Sequence, residues 1–248
     1  MATPKTAIEM ADDLEHHQLE QLGEQYIAKS LLFNLADGRR SLGTHPSGAR
    51  MLMGEDPRLP QMPERPTLID FFECRFAPSQ QHLLQSARLA LTNGLPEKMV
   101  LACLLHDVAV VGFIRADHGY WGAQLLEPYE DEEVSWAIRF HQVLRFFPDE
   151  SVGYAYPEAY LQMFGEDYEL PEYVHAAYKL ARNHKWYMSS RMICVNDLYS
   201  FDPDVKVELG EFEDIIGRHF KQPPEGLGND HSPAAHMWRT LRRPCNAL

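Results

Sequence analysis

The feature that most constrains this chain is an apolar run with a histidine and an aspartate side by side inside it. The run extends from Met99 to Val111, and only His106 and Asp107 interrupt its apolar character. Burying an unpaired carboxylate in such a segment carries a large free-energy penalty. A bound metal ion removes that penalty because it supplies the opposite charge. The alternative is a capped or salt-bridged pair near a helix end, so the rest of the chain must decide.

Composition and charge exclude some classes of partner. The 248 residues are 45% hydrophobic and 24% charged, as in an ordinary globular protein with a sizeable core. The formal net charge is −13. A nucleic acid or an anionic membrane needs a basic face on its partner, so we expect neither of them. The oligomeric state cannot be inferred from the sequence.

The cysteines and the first residues predict a cytoplasmic protein. The four cysteines show no CxxC spacing, and Cys103 and Cys194 lie within apolar helical patterns. This favours reduced, buried thiols over a disulfide framework or a zinc–thiolate site. The chain begins with a charged helical pattern rather than an apolar signal segment, and no apolar run approaches the ~20 residues of a membrane span.

The spacing of apolar residues predicts an all-α fold without strands or internal repeats. One or two amphipathic helices over 6–35 and a long loop to residue 66 form an N-terminal extension over 1–66. Residues 67–222 form the main helical domain, and 223–248 form an irregular tail with one or two helical turns at 233–241. The helices predicted within the main domain are 67–76, 79–93, one from Pro96 through the His106–Asp107 pair, 118–126, 130–147, 157–164, 171–182, 187–201 and 205–220.

Metal-binding side chains recur on several of these predicted helices. A single histidine on an apolar helix face is usually an ordinary core residue, but a whole set of such residues is hard to explain in that way. Together these side chains favour a metal site. The candidate ligands are His82, His106, Asp107, His118, His141 and Asp197.

The order His82, then His106 and Asp107, then Asp197 resembles the HD-domain superfamily, which is named for the adjacent pair. The resemblance covers about 78–202, or about half of the chain. It implies a helical bundle that holds metal through the pattern H…HD…D.

Two further histidines resemble those of the dinuclear branches of this superfamily. His118 and His141 would complete a second metal, while His82, His106 and Asp197 would complete the first. Asp107 would bridge both metals and is therefore the candidate catalytic residue.

Two activities follow from this resemblance. Most members are metal-dependent phosphohydrolases that act on nucleotides or other phosphoesters. A smaller branch, with myo-inositol oxygenase and 2-amino-1-hydroxyethylphosphonate oxygenase, uses two iron ions (Fe2+/Fe3+, mixed-valence) with O2 as co-substrate. The ligand intervals, apart from a shorter second interval, and the segment His118 to Ala123 resemble the second branch. We therefore expect a diiron dioxygenase acting on a small hydroxylated, anionic substrate, with phosphohydrolase as the alternative and a degenerate binding module as a third possibility.

Four side chains are candidate substrate contacts. Arg145 lies one helical turn after His141, so both project from the same face, and the phosphonate enzymes place a cationic substrate contact there. An arginine at such a site can hold an anionic group with two hydrogen bonds. The full set is Arg145, Arg191, Arg75 and Tyr120.

Departures from the oxygenase pattern narrow the substrate. Phe72 and Arg75 stand where the phosphonate enzymes carry a tyrosine and a glutamate, which argues against an aminophosphonate. Val110 stands where the inositol enzyme carries a lysine, so inositol is not expected.

Overall fold

The computed structural model describes residues 60–77, 79–112, 117–198, 200 and 202–243, and within them all regular structure is helical. This confirms the all-α prediction, while the helices predicted over 6–35 lie outside the described residues. The α-helices are α1 (Leu68–Cys74), α2 (Gln80–Thr92), α3 (Glu97–Leu105), α4 (Val108–Gly112), α5 (His118–Leu126), α6 (Glu132–Leu144), α7 (Glu158–Phe164), α8 (Glu172–Arg182), α9 (Tyr187–Leu198), α10 (Glu213–His219) and α11 (Ala235–Arg242).

Local capping signals begin and end the first helices as the sequence predicts. The Thr67 backbone N–H donates to Asp70 Oδ2 at 2.7 Å, and the Asp70 N–H donates to Thr67 Oγ1 at 3.3 Å. These two bonds form the capping box of α1. Gly94 follows α2 with a φ of +74°, a conformation that glycine adopts without strain.

Our prediction of one continuous helix through the His106–Asp107 pair was wrong in one respect. α3 ends at Leu105, the pair lies in a turn, and α4 begins at Val108. Consecutive residues of an α-helix project about 100° apart around its axis. The turn therefore allows the two neighbouring side chains to face the same centre.

α3 lies in the middle of the core, and residues 100–105 have no solvent exposure. It packs against α2, α6, α9 and α10, and α6 in turn packs against α5, α8 and α9. The buried free thiols of Cys103 and Cys194 confirm the prediction for those two residues. Within the described residues, no helix is both long and apolar enough to cross a lipid bilayer.

The C-terminal segment is more ordered than its glycine and proline content suggests. It contains α11, whose Trp238 is fully buried and packs edge-on against Phe71 at 4.7 Å between ring centroids. The indole N–H donates to the Leu125 carbonyl at 3.2 Å. The predicted helix over 205–220 is shorter, with a 3-10 turn at Leu209–Phe212 followed by α10.

Candidate metal centre

The helical packing brings all six predicted ligands to one place. α2 supplies His82, the turn after α3 supplies the adjacent pair, and α5, α6 and α9 each supply one more side chain. The residues His106, His141 and Asp197 are fully buried, and the side chains of His82, His118 and Asp107 are 11–17% exposed. The cluster therefore has a deep part and an edge that solvent reaches.

The first half of the cluster forms around Asp197. Its Oδ1 lies 3.3 Å from His82 Nε2 and 3.7 Å from His106 Nε2. The two Nε2 atoms are 3.2 Å apart. These three side chains come from α2, α9 and the turn between α3 and α4, so the long-range packing of the bundle creates this half.

The second half forms around Asp107. Its Oδ1 lies 3.0 Å from His118 Nε2 and 3.3 Å from His141 Nε2, and these two nitrogens are 3.1 Å apart. The same carboxylate reaches the first half, with Oδ2 3.5 Å from His82 Nε2 and Oδ1 3.6 Å from His106 Nε2. Asp107 therefore lies between the two halves of the cluster.

Backbone carbonyls fix the tautomers of two buried histidines. The Cys103 carbonyl accepts from His106 Nδ1 at 2.7 Å, and the Ile138 carbonyl accepts from His141 Nδ1 at 2.5 Å. In the neutral rings the proton is therefore on Nδ1, and the lone pair on Nε2 faces the cluster. Such carbonyl bonds orient metal-ligating histidines in many proteins.

Ser200 fixes the tautomer of His82 in a similar way, and the sequence analysis did not identify this residue. Its hydroxyl donates to the Asp197 carbonyl at 2.6 Å and so accepts from His82 Nδ1 at 2.8 Å. The sequence signal was a hydroxyl three residues after a predicted ligand, which is too common to be specific.

A cation fits this donor set. Among the described residues, Asp107 Oδ1 and Asp197 Oδ1 are buried, and no N–H or O–H donates to them with hydrogen-bond geometry. Imidazole lone pairs converge on these same oxygens at 3.0–3.7 Å. Lone pairs that face lone pairs repel one another unless protons or a metal ion lie between them.

The pKa directions show the same opposition between burial and local charge. Burial would raise the pKa of Asp197, but the neighbouring His106 and the charge of Arg145 outweigh it and lower the pKa to about 2. Burial opposes the charged form of His106, yet Asp107 and Asp197 raise its pKa to about 9. Burial lowers the pKa of His141 to about 4, so that ring is neutral and can act as a ligand.

Glycine permits the close approach of α5 and α6. A Cβ atom added to Gly119 would lie 2.9 Å from the Ile138 carbonyl oxygen, 3.0 Å from that of Arg139 and 3.3 Å from the His141 ring. No side chain fits in that space. The glycine after His118 is therefore needed to bring His118 and His141 together.

Arg145 lies beside the cluster, where it contacts the candidate ligand Asp197. Its Nη1 donates to Asp197 Oδ2, and its guanidinium lies 5.0 Å from the centre of the Tyr160 ring. Burial raises the pKa of Tyr160 to about 12, and Asp197 and Asp107 add to this shift. Tyr160 therefore lies close to the centre, and the sequence reasoning missed it because nothing in its pattern marks it.

Arg75 and Arg191, two of the predicted substrate contacts, are engaged elsewhere. Arg75 donates to the carbonyls of Arg242 at 2.7 Å and Pro60 at 3.0 Å, and so helps to satisfy the C-terminal end of α11. Arg191 is fully buried and donates to the Leu144 carbonyl at 2.8 Å and to the Tyr187 hydroxyl. These contacts give both arginines a structural role.

Tyr120 lies at the surface of α5. Tyr120 is 42% exposed, and the Arg139 guanidinium lies 5.0 Å from the centre of its ring. Its predicted contact with a substrate stays a prediction.

Comparison with known proteins supports the HD superfamily for the central part of the chain. The family model described as HD domain matches residues 80–155, which include all the candidate ligands except Asp197. No curated protein matches the chain. Two groups of side chains could each hold a metal ion: His82 with His106 and Asp197, and His106 with Asp107 and His141. Together with these groups, the match agrees with a metal-dependent enzyme of the HD type. It does not distinguish hydrolases from oxygenases.

Proposed function

We propose that the chain is a diiron oxygenase that uses O2 to oxidise or cleave a small, hydroxylated, anionic organic substrate. The observation that carries this proposal is the donor set, in which four imidazoles converge on two carboxylates. Imidazole ligands suit iron, zinc, copper and nickel, whereas Mg2+ and Ca2+ prefer sites made mainly of oxygen. Two iron ions held by these residues would supply the one-electron chemistry that O2 requires.

The residues divide the work of such a site between them. His82, His106 and Asp197 would hold the first ion, His118 and His141 the second, and Asp107 both. The carbonyl bonds to His106 and His141 keep their Nε2 lone pairs directed inwards. Because the protein supplies few ligands to each ion, positions remain for O2 and substrate.

Arg145 is the substrate contact that we retain from the predicted set. It is a cation beside Asp197, and its Nε–H is buried without a hydrogen-bond partner among the described residues. A buried donor without a partner costs about 1–3 kcal/mol, and an anionic substrate oxygen would remove that cost. Arg75 and Arg191 are not part of the proposal because backbone carbonyls and neighbouring side chains already engage them.

The test begins with the metal. We expect the protein, produced with iron and purified without oxygen, to hold two irons per chain and to give a half-integer-spin signal after partial reduction. Oxygen uptake should then depend on one member of a panel of small 2-hydroxycarboxylates and 2-hydroxyphosphonates, and it should be absent in Asp107→Asn. Phosphate release from p-nitrophenyl phosphate with Mn2+, together with no oxygen uptake, would contradict the proposal and favour the hydrolase.

A further inference from the structure

The two oxygens of Asp197 have different surroundings. Oδ1 faces the histidines, 3.3 Å from His82 Nε2 and 3.7 Å from His106 Nε2, and receives no hydrogen bond from the described residues. Oδ2 accepts from Arg145 Nη1 on the other side. A carboxylate held in this way presents one oxygen to a metal and keeps the other on the guanidinium.

The position of Arg145 is fixed by several independent contacts. Its backbone N–H donates to the His141 carbonyl at 3.1 Å, and its own carbonyl accepts from the Tyr154 hydroxyl at 3.2 Å. The guanidinium packs over the Tyr160 ring, and the side chain is 13% exposed. These contacts order the Arg145 side chain, and its guanidinium in turn orients the Asp197 carboxylate. Little further side-chain entropy is therefore lost when Asp197 binds a metal.

We propose that Arg145 is a positioning residue that restricts Asp197 to coordinating the first metal through one oxygen. Without the guanidinium, the carboxylate loses its fixed orientation, and Oδ1 is no longer held towards His82 and His106. This inference rests on the metal-binding part of the proposed function, and it does not depend on iron or on oxygen chemistry.

Removing Arg145 has two opposite effects on metal affinity. Loss of orientation in a residue that supports a ligand typically weakens metal binding about 10–100-fold. Loss of a positive charge near the metal would instead strengthen binding, because like charges repel. A lysine retains the charge but lacks the planar fork of the guanidinium, so a pair of variants separates the two effects.

The experiment is a calorimetric titration of the full chain with Mn2+, in wild type, Arg145→Lys and Arg145→Met. We expect two sites in each protein, with the affinity of one site about 10–100-fold weaker in both variants. Arg139→Met is the matched control, since Arg139 is an exposed arginine of α6, the helix that ends just before Arg145, and this variant should bind as wild type does. Thermal melts of each variant establish that the fold is intact.

Several outcomes would overturn the inference. Tighter binding in Arg145→Met with wild-type binding in Arg145→Lys would show that charge dominates, and unchanged binding in both would show that Arg145 does not position the ligand. A crystal structure of the Mn2+-loaded wild type is independent of the variants and should show Asp197 bound through one oxygen. Two-oxygen coordination there would also overturn it. Wild type that binds no Mn2+ or other divalent metal would contradict the proposed function as well.

Discussion

Buried carboxyl groups occur in two regions of this fold, and their surroundings have opposite effects on them. Asp197 lies among imidazoles and a guanidinium, and its pKa is lowered to about 2 despite complete burial. Glu130 is 4% exposed, and among the described residues neither of its carboxylate oxygens has a hydrogen-bond partner. Burial, with the charge of Asp131, raises its pKa well above the ordinary value.

Burial alone therefore favours the neutral acid, and close cationic partners are needed to keep a buried carboxylate ionised. The cluster around Asp107 and Asp197 retains negative charge in the interior, which is what a site for metal cations requires. Near Glu130, the charge of Lys221 lowers the pKa but does not outweigh burial and the charge of Asp131. Glu130 therefore provides a control for every experiment that removes a buried carboxylate.

The largest effect is expected from Asp107→Asn. The amide has nearly the same shape but lacks the charge and the second oxygen that would allow it to bridge, so we expect both metals to be lost. Metal content per chain after dialysis, measured by inductively coupled plasma mass spectrometry, checks this. Glu130→Gln makes the same chemical change elsewhere and should retain both metals. A variant at Asp107 that also retained both would refute the bridging assignment.

A smaller effect is expected from Asp197→Asn. Asp197 Oδ1 faces only the half that contains His82 and His106, so this variant should lose the first metal and retain the second. The same metal analysis should fall from two ions per chain to one. Loss of both ions, in a variant that still melts cooperatively, would show that the two halves do not bind independently.

A change in the spacing between α5 and α6 should weaken metal binding by the second half of the cluster. In Gly119→Ala the new methyl group would lie 2.9 Å from the Ile138 carbonyl oxygen, so α5 must move away from α6. We expect the second metal to bind about ten-fold or more weakly, by analogy with other changes that disturb ligand orientation, as measured by titration with Mn2+. Gly217→Ala is the control because nothing lies within 4 Å of its added Cβ. Equal affinities in both variants would show that this close contact is not required.

The sequence was sufficient for some of these features and insufficient for others. The convergence of the six candidate ligands could be predicted because metal-binding side chains on apolar helices are rare and their order is characteristic. The break of α3 at Leu105 could not, since no proline or glycine marks it and the surrounding residues are all compatible with a helix. Ser200 and Tyr160 were missed because their roles depend on long-range packing.

Dependence on long-range packing also explains why the sequence could not show which predicted arginine lies at the cluster. Arg75, Arg145 and Arg191 look alike in sequence, and each could have faced a substrate. Only the folded arrangement shows that one of them contacts Asp197, while the other two bind backbone carbonyls or a neighbouring hydroxyl.

The smallest effect is expected from the ionisation of Glu130, which changes the stability of the fold with pH. The folded-state pKa of Glu130 is raised above its ordinary value of 4.5, so above that pH the unfolded state releases a proton that the folded state retains. The free energy of unfolding of wild type should therefore fall as pH rises from about 4.5 towards the folded-state pKa, by at most about 1.4 kcal/mol per pH unit from this group.

Glu130→Gln removes this contribution because an amide does not ionise. Urea unfolding at about pH 5, 6 and 7 should give a difference in stability between the two proteins that shifts in favour of the variant as pH rises. The carboxylates of the metal cluster titrate in both proteins, so that difference isolates Glu130. Parallel curves would show that Glu130 ionises in the folded state, and the contrast with Asp197 would then lie in the histidines and Arg145 rather than in the burial of an unpaired acid.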